Sequence, residues 1–305
     1  MASLKTWWGA ARPRTVLLSL SGILMGGFLA FAENPETNCL TVAFCALTAI
    51  TLQILSNLAN DYGDYKKGVD NNHRAGPQRT LQSGALNERQ MRRGMVFTVL
   101  VALLFGALLI FVFARLTWTE LAVFACLGVA SVLAALLYTL GKHPYGYRGL
   151  GDLFCFLFFG WAAVAGTYYL ATKNLDFTIL LPATALGCCS NAVLNINNMR
   201  DYENDKASGK NSLVVKLGLK NAFRYHGFLL GMAFASLTLF AMLKHAPYYT
   251  YAFWLVFPLF FKDLLVIRKQ LERGVPDRLL PRQVLHTLLL TLVFGLLVNH
   301  NLLHT

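Results

Sequence analysis

The chain is short of charge: Asp, Glu, Lys and Arg make up 14% of its 305 residues, and the 15 acids are outnumbered by 27 bases. So few charges cannot solvate the surface of a water-soluble domain of this length. With 56% hydrophobic residues and a mean hydropathy of +0.49, an ordinary soluble fold is excluded. Proline is scarce as well, with nine residues in all, which leaves long helical runs uninterrupted. Cysteine offers neither a zinc site nor a disulfide framework. Cys39, Cys45, Cys126, Cys155, Cys188 and Cys189 show no CxxC spacing and lie mostly within apolar runs, as packing residues do. No cleavable leader pattern is expected at the start, because the first apolar run is long enough to span and lacks a small-residue cleavage site.

What is present instead is a series of apolar runs, at roughly Thr15–Ala32, Cys39–Ala59, Met95–Phe113, Glu120–Leu140, Asp152–Ala171, Phe177–Asn198, His226–Leu243, Tyr248–Ile267 and Val284–Leu303. Each is close to the roughly twenty residues that cross a bilayer core. The expectation is an all-α polytopic membrane protein with nine transmembrane helices, one domain over 1–305. The net charge of +12 does not point to nucleic acid, since the bases sit in short connections between runs. Apart from Arg115, Lys173 and Lys244, every Lys and Arg falls at the N-terminus, after the second, fourth or sixth run, or near and beyond the end of the eighth, where Lys262 lies within the run. That bias predicts a cytoplasmic N-terminus, with basic loops facing anionic lipid.

Two of the basic connections carry unusual motifs. Residues 57–70 read Asn-Leu-Ala-Asn-Asp-Tyr-Gly-Asp-Tyr-Lys-Lys-Gly-Val-Asp, and residues 195–210 read Asn-Ile-Asn-Asn-Met-Arg-Asp-Tyr-Glu-Asn-Asp-Lys-Ala-Ser-Gly-Lys. Both place acids and amides where a span meets water, a costly gathering without a cationic partner. On a helix Asn57, Asp61 and Asp64 fall at i, i+4 and i+7, and Asn197, Asp201 and Asp205 at i, i+4 and i+8, so each set is expected on one face. Opposed, the faces would form an oxygen-lined cleft of the kind hard cations such as Mg²⁺ select. The recurrence of the pattern about four spans apart suggests pseudo-repeat halves facing each other.

Such a cleft above an apolar floor suits a lipid diphosphate. Metal ions bridging the four Asp would hold the diphosphate, with Arg79, Lys206 and Lys210 neutralising its remaining oxygens. Asn57, Asn60 and Asn197 are expected to contact the ligand, and Tyr62, Tyr65, Tyr138 and Tyr202 are candidates to shelter an allylic carbocation. A non-enzymatic lipid-diphosphate transporter is the alternative from a different class, against which the acids cluster at one face rather than mid-membrane.

Asn60-Asp61-x-x-Asp64 and Asp201-x-x-x-Asp205, set in a nine-span basic chain, resemble the intramembrane aromatic prenyltransferases of the UbiA superfamily. The longer segments Leu55–Asp64, Tyr145–Asp152 and Val193–Asp201 are similar to the branch acting on 1,4-dihydroxy-2-naphthoate in menaquinone biosynthesis. The resemblance implies a helical bundle around a central cavity open to the cytoplasm and to lipid. It also implies Mg²⁺-dependent transfer of a polyprenyl chain, octaprenyl in this reading, from its diphosphate to dihydroxynaphthoate, with loss of carbon dioxide. Another acceptor such as 4-hydroxybenzoate is the alternative, and no protein partner is implied. Where the superfamily has a third acid four residues after the second Asp, this chain has Gly68, leaving Asp70 as the nearest acid. Arg74, Lys142 and Arg148 are candidates to pair with the acceptor carboxylate.

Plainer roles are expected elsewhere. Asp152 suits a helix start, Lys262 and Asp263 read as a surface pair, and the Phe-rich stretches of spans five and eight read as lipid-facing or packing. Gly151, Gly160 and Gly166 would allow close helix approach.

Overall fold

A computed structural model describes residues 3–71 and 75–300; Arg74 lies outside the described residues. Among these the regular structure is helical throughout. Nine helices are long and apolar enough to cross a membrane: Pro13–Glu33, Cys39–Lys66, Glu88–Phe113, Trp118–Leu137, Gly151–Thr172, Phe177–Arg200, Leu219–Leu243, Tyr248–Gln270 and Leu279–Val298. They match the nine apolar runs in order. The third begins earlier than its apolar run because Asn87 and Gln90 form a capping box that starts the helix in polar sequence.

A short helix, Leu4–Ala11, precedes the first span. It buries Ala10 and packs Trp7 against Gly94, while Leu4 and Trp8 stay exposed, the pattern of a helix lying in the membrane interface. Arg12 joins it to the first span with a left-handed backbone, φ 49°, which turns the chain before Pro13 starts the span.

Burial sorts the spans. The sixth has 67% of its most apolar window buried and forms the centre; the fourth has 6% and forms an outer wall. Spans five and six meet at backbone distance, since a Cβ on Gly160 would stand 2.6 Å from the Ala183 carbonyl. Gly151 and Gly166 do not do this: Gly151 faces the Tyr138 ring, and Gly166 has only Phe124 within 4.0 Å. Phe253, Phe257 and Phe260 of span eight pack around Phe234.

Asp263 is not on the surface. It is fully buried and faces Arg282 at 2.6 Å and His286 at 3.2 Å from span nine. An acid inside a span needs such partners, and the adjacent Lys262 is exposed.

Candidate active site

The ends of spans two and six meet at one end of the bundle, around one end of a cavity of about 550 Å³. Span two brings Asn57, Asn60 and Asp64 to its lining, and span six brings Asn197, with Asp201 and Asp205 just beyond. Span six ends at Arg200 because Asp201 leaves helical geometry, and a short helix, Tyr202–Ala207, restarts the chain. That break re-aims Asp205 inward, where it is buried. The side-chain amide of Asn204 donates to the Val69 carbonyl at 2.8 Å and ties the two motifs together.

Each acid has cationic company. Asp64 accepts from Tyr147 Oη at 2.7 Å and from Lys210 Nζ at 3.3 Å. The same ammonium lies 3.8 Å from Asp205, so one cation already sits between acids from both motifs. Arg200 grips Asp201 through two hydrogen bonds, at 2.9 and 2.6 Å, and reaches Asp277 at 2.5 Å. Asp61 does not line the cavity: it is 2% exposed, covered by a direct Arg12 contact and by Arg79 at 3.5 Å. The expected single face thus splits, with Asp64 toward the opposing motif and Asp61 toward span one. Arg12 and Arg79 both line the cavity and are held there by Asp61.

Asn57 is a brace as well as a lining residue, donating to the Ala11 carbonyl at 2.8 Å and Thr15 Oγ1 at 3.0 Å. Asn60 accepts a long bond from Thr139 at 3.4 Å. Gly63 is required where span two meets the end of span four, because a Cβ there would lie 2.6 Å from Thr139 Oγ1. Of the other residues expected in the site, Asp70 is buried beside it but not in the cavity lining, and Lys206 and Arg148 are exposed outside it. Lys206 lies over the Tyr202 ring at 5.9 Å.

Sequence reasoning missed Arg12, Tyr145 and Tyr147. Among the tyrosines proposed as shields only Tyr138 lines the cavity; Tyr145 joins it, edge-on at 5.3 Å and stacked on Phe154 at 4.2 Å. Phe154, Phe158 and Phe159 of span five also line the cavity rather than face lipid or pack between helices alone. Tyr147 is flanked by cations, with Lys67 Nζ 4.5 Å and Lys210 Nζ 5.5 Å from its ring centre.

Charge states follow from these neighbours. Burial pushes the Tyr147 phenol up, and the charge and hydrogen bond of Asp64 push it further, so it stays a donor. For Lys210 burial disfavours the ammonium, but Asp64, Asp205 and Asp201 together outweigh it and hold its pKa above the ordinary value. This end of the cavity is therefore a fixed array of charges, and the walls below it are mostly apolar, with Thr48, Ser131 and Thr167 among them.

The UbiA prenyltransferase family pattern matches residues 19–289. The chain belongs to the UbiA prenyltransferase family. It is similar to the 1,4-dihydroxy-2-naphthoate octaprenyltransferase of Haemophilus influenzae, at 40% identity over 294 residues covering 96% of this chain and 95% of that one. The Escherichia coli protein of the same name is likewise 40% identical over 292 residues, covering 96% and 94%. The UbiA fold is also seen in a solved UbiA homolog from Archaeoglobus fulgidus bound to DMAPP and Mg²⁺, with a TM-score of 0.65, 14% identity and coverage of 96% and 99%. An apo UbiA homolog from Aeropyrum pernix K1 gives 0.66, 16%, 95% and 97%.

Proposed function

We propose that the chain transfers an octaprenyl group from its diphosphate to 1,4-dihydroxy-2-naphthoate, with decarboxylation, giving demethylmenaquinol. The observation that carries this is the meeting of Asp64, Asp201, Asp205 and Lys210 at the mouth of a cavity whose other walls are mostly apolar: charge for a diphosphate above, hydrocarbon for its tail below. The acceptor rests on the names of the similar bacterial proteins. The site residues, the single domain with pseudo-repeat halves, and an inner-membrane location with this mouth facing the cytoplasm belong to the same proposal. The charge bias of the connections supports that orientation.

The donor set at the mouth is oxygen only, carboxylates with Asn60 and Asn197, and acids of both motifs lie within reach of one cation, Lys210. Those residues fit Mg²⁺, although no group of three or more His, Cys, Asp or Glu is gathered at metal-binding range among the described residues. Asp64, Asp201 and Asp205 would hold the metal, with Asp61 behind them. Bound there, Mg²⁺ would neutralise a diphosphate and stabilise it as a leaving group.

The chain's own groups do the rest. Lys210, Arg12 and Arg79 present positive charge to the diphosphate oxygens, fixed in place beforehand by their carboxylates, so little reorganisation is needed as charge develops. The C–O bond to the allylic carbon breaks, the electron pair leaves with the diphosphate, and the faces of Tyr138, Tyr145 and Phe154 shelter the cation from water. The electron-rich carbon that bears the acceptor carboxylate attacks, and loss of carbon dioxide restores the aromatic ring. No histidine base is required.

Incubation with labelled octaprenyl diphosphate and each aromatic acid tests the reading. Carbon dioxide release with dihydroxynaphthoate, stopped by a chelator and restored by Mg²⁺, is expected. Turnover of 4-hydroxybenzoate instead, or donor movement without diphosphate release, would overturn it.

A further inference from the structure

The cavity continues far below its charged mouth. From Tyr138 and Asp64 it runs to Cys45, Leu109, Phe124 and Leu170, near the opposite ends of their spans. On span four the residues Phe124, Gly128, Ser131, Ala135 and Tyr138 all line it, and their spacing of four, three, four and three residues puts them on one helix face. On span three Ala102, Gly106 and Leu109 line it with the same kind of spacing. Glycine in a membrane helix ordinarily lets a neighbour approach, as Gly22, Gly26 and Gly160 do, each with a backbone oxygen closer than 3 Å to where a Cβ would stand. Gly106 and Gly128 have nothing within 4 Å of that position. They admit no helix; they leave the channel wide.

Gly128 lies ten residues from Tyr138 along the span, about 15 Å of helix rise. An extended isoprene unit of four carbon–carbon bonds, each about 1.5 Å, advances roughly 5 Å. Two units from the mouth therefore stop short of Gly128, the third reaches it, and later units must pass it. We propose that Gly106 and Gly128 are specificity-determining positions that keep the deep half of the channel open for the distal units of a long isoprenoid. This rests on the prenyl-transfer reading and adds to it which residues admit tail length.

The test is Gly128→Leu and Gly106→Leu, each assayed with geranyl and with octaprenyl diphosphate against one acceptor. A side chain enters open space at both positions, so folding is expected to survive, which a thermal melt of the solubilised protein checks; Gly→Ala variants provide a graded second series. Gly231 also has nothing within 4 Å but does not line the cavity, and Gly231→Leu is the control, expected to leave both donors unchanged. Expected for the channel variants is kcat/KM within about twofold for geranyl and a fall of about tenfold or more for octaprenyl diphosphate. Equal effects on the two donors, or none on either in well-folded variants, would overturn the inference. Failure of the unsubstituted chain to use either donor would instead overturn the prenyl-transfer reading.

Discussion

Lys210 is the sharpest place to perturb the site. Its ammonium stands 3.3 Å from Asp64 and 3.8 Å from Asp205, and at an effective dielectric near 20 each attraction is about 4–5 kcal/mol before desolvation is counted. Most of that gross energy offsets the burial of the charges, but removing one partner strands the others and costs about 3–5 kcal/mol locally. Lys210→Gln removes the charge while keeping a polar side chain only one atom shorter. If the ammonium holds diphosphate in the transition state, kcat should fall by about 10²–10³, the usual loss for one preorganised donor. If it is only a counter-ion for the acids, excess Mg²⁺ would take over and turnover would persist. Steady-state kinetics in reconstituted vesicles at saturating Mg²⁺ separate the two. Lys206→Gln is the companion, expected to lose less than about twofold because an exposed cation contributes little. Retention of more than about a third of the activity by Lys210→Gln, or an equal loss in Lys206→Gln, would refute the reasoning.

Other consequences can be measured alongside. Asp205→Asn should cut turnover by about 10³-fold or more while the yield in the membrane fraction stays the same, since it removes charge rather than packing; appreciable residual activity would argue against a role in holding metal. Tyr147→Phe deletes the 2.7 Å bond to Asp64 but keeps the ring beside Lys67 and Lys210, and kcat should drop about 10- to 100-fold, as for a hydrogen bond to a charged group. An unchanged kcat would make that bond incidental. Lys210 also sets a pH expectation. Its folded pKa is raised, so its stabilising contribution is complete below the ordinary lysine value near 10.4 and disappears only as pH rises through the raised value. The melting midpoint of the parent relative to Lys210→Gln should therefore stay constant from about pH 7 to 10, and a narrowing gap over that range would contradict the assignment.

The spans were legible because hydropathy and length decide them almost alone in a bilayer, and the two acidic motifs because acids at a span end have few innocent explanations. Less visible was which way each member points. Asp61 and Asp64 are three residues apart, so about 60° separates them around the helix, enough to give them different partners, and only the position of Arg12 reveals that Asp61 turns toward span one. Lys206 and Lys210 read alike in sequence. In the fold the first ends a helix that turns it outward, and the second follows Gly209, whose φ of 72° swings the chain back over the acids. Arg12 looked like any basic residue before a first span, and Tyr147 like a loop aromatic; nothing in their neighbours signals a long-range partner. Asp263 was misread because its partners, Arg282 and His286, come from the next span.

Span four has Ala135 as its single buried residue, with acyl chains on one side and the cavity on the other. A helix with oil on both faces gains little from water for standing where it does; its place depends on the packing of Val132, Ala135 and Leu136 with Leu55 and Leu58 and on its moorings. At one end these are Glu120 and Phe124 against Tyr169, and at the other Thr139 on the Ala59 carbonyl and Tyr138 against Tyr145. It is a curtain hung from two rails, and cutting either rail leaves the cloth between them free to swing.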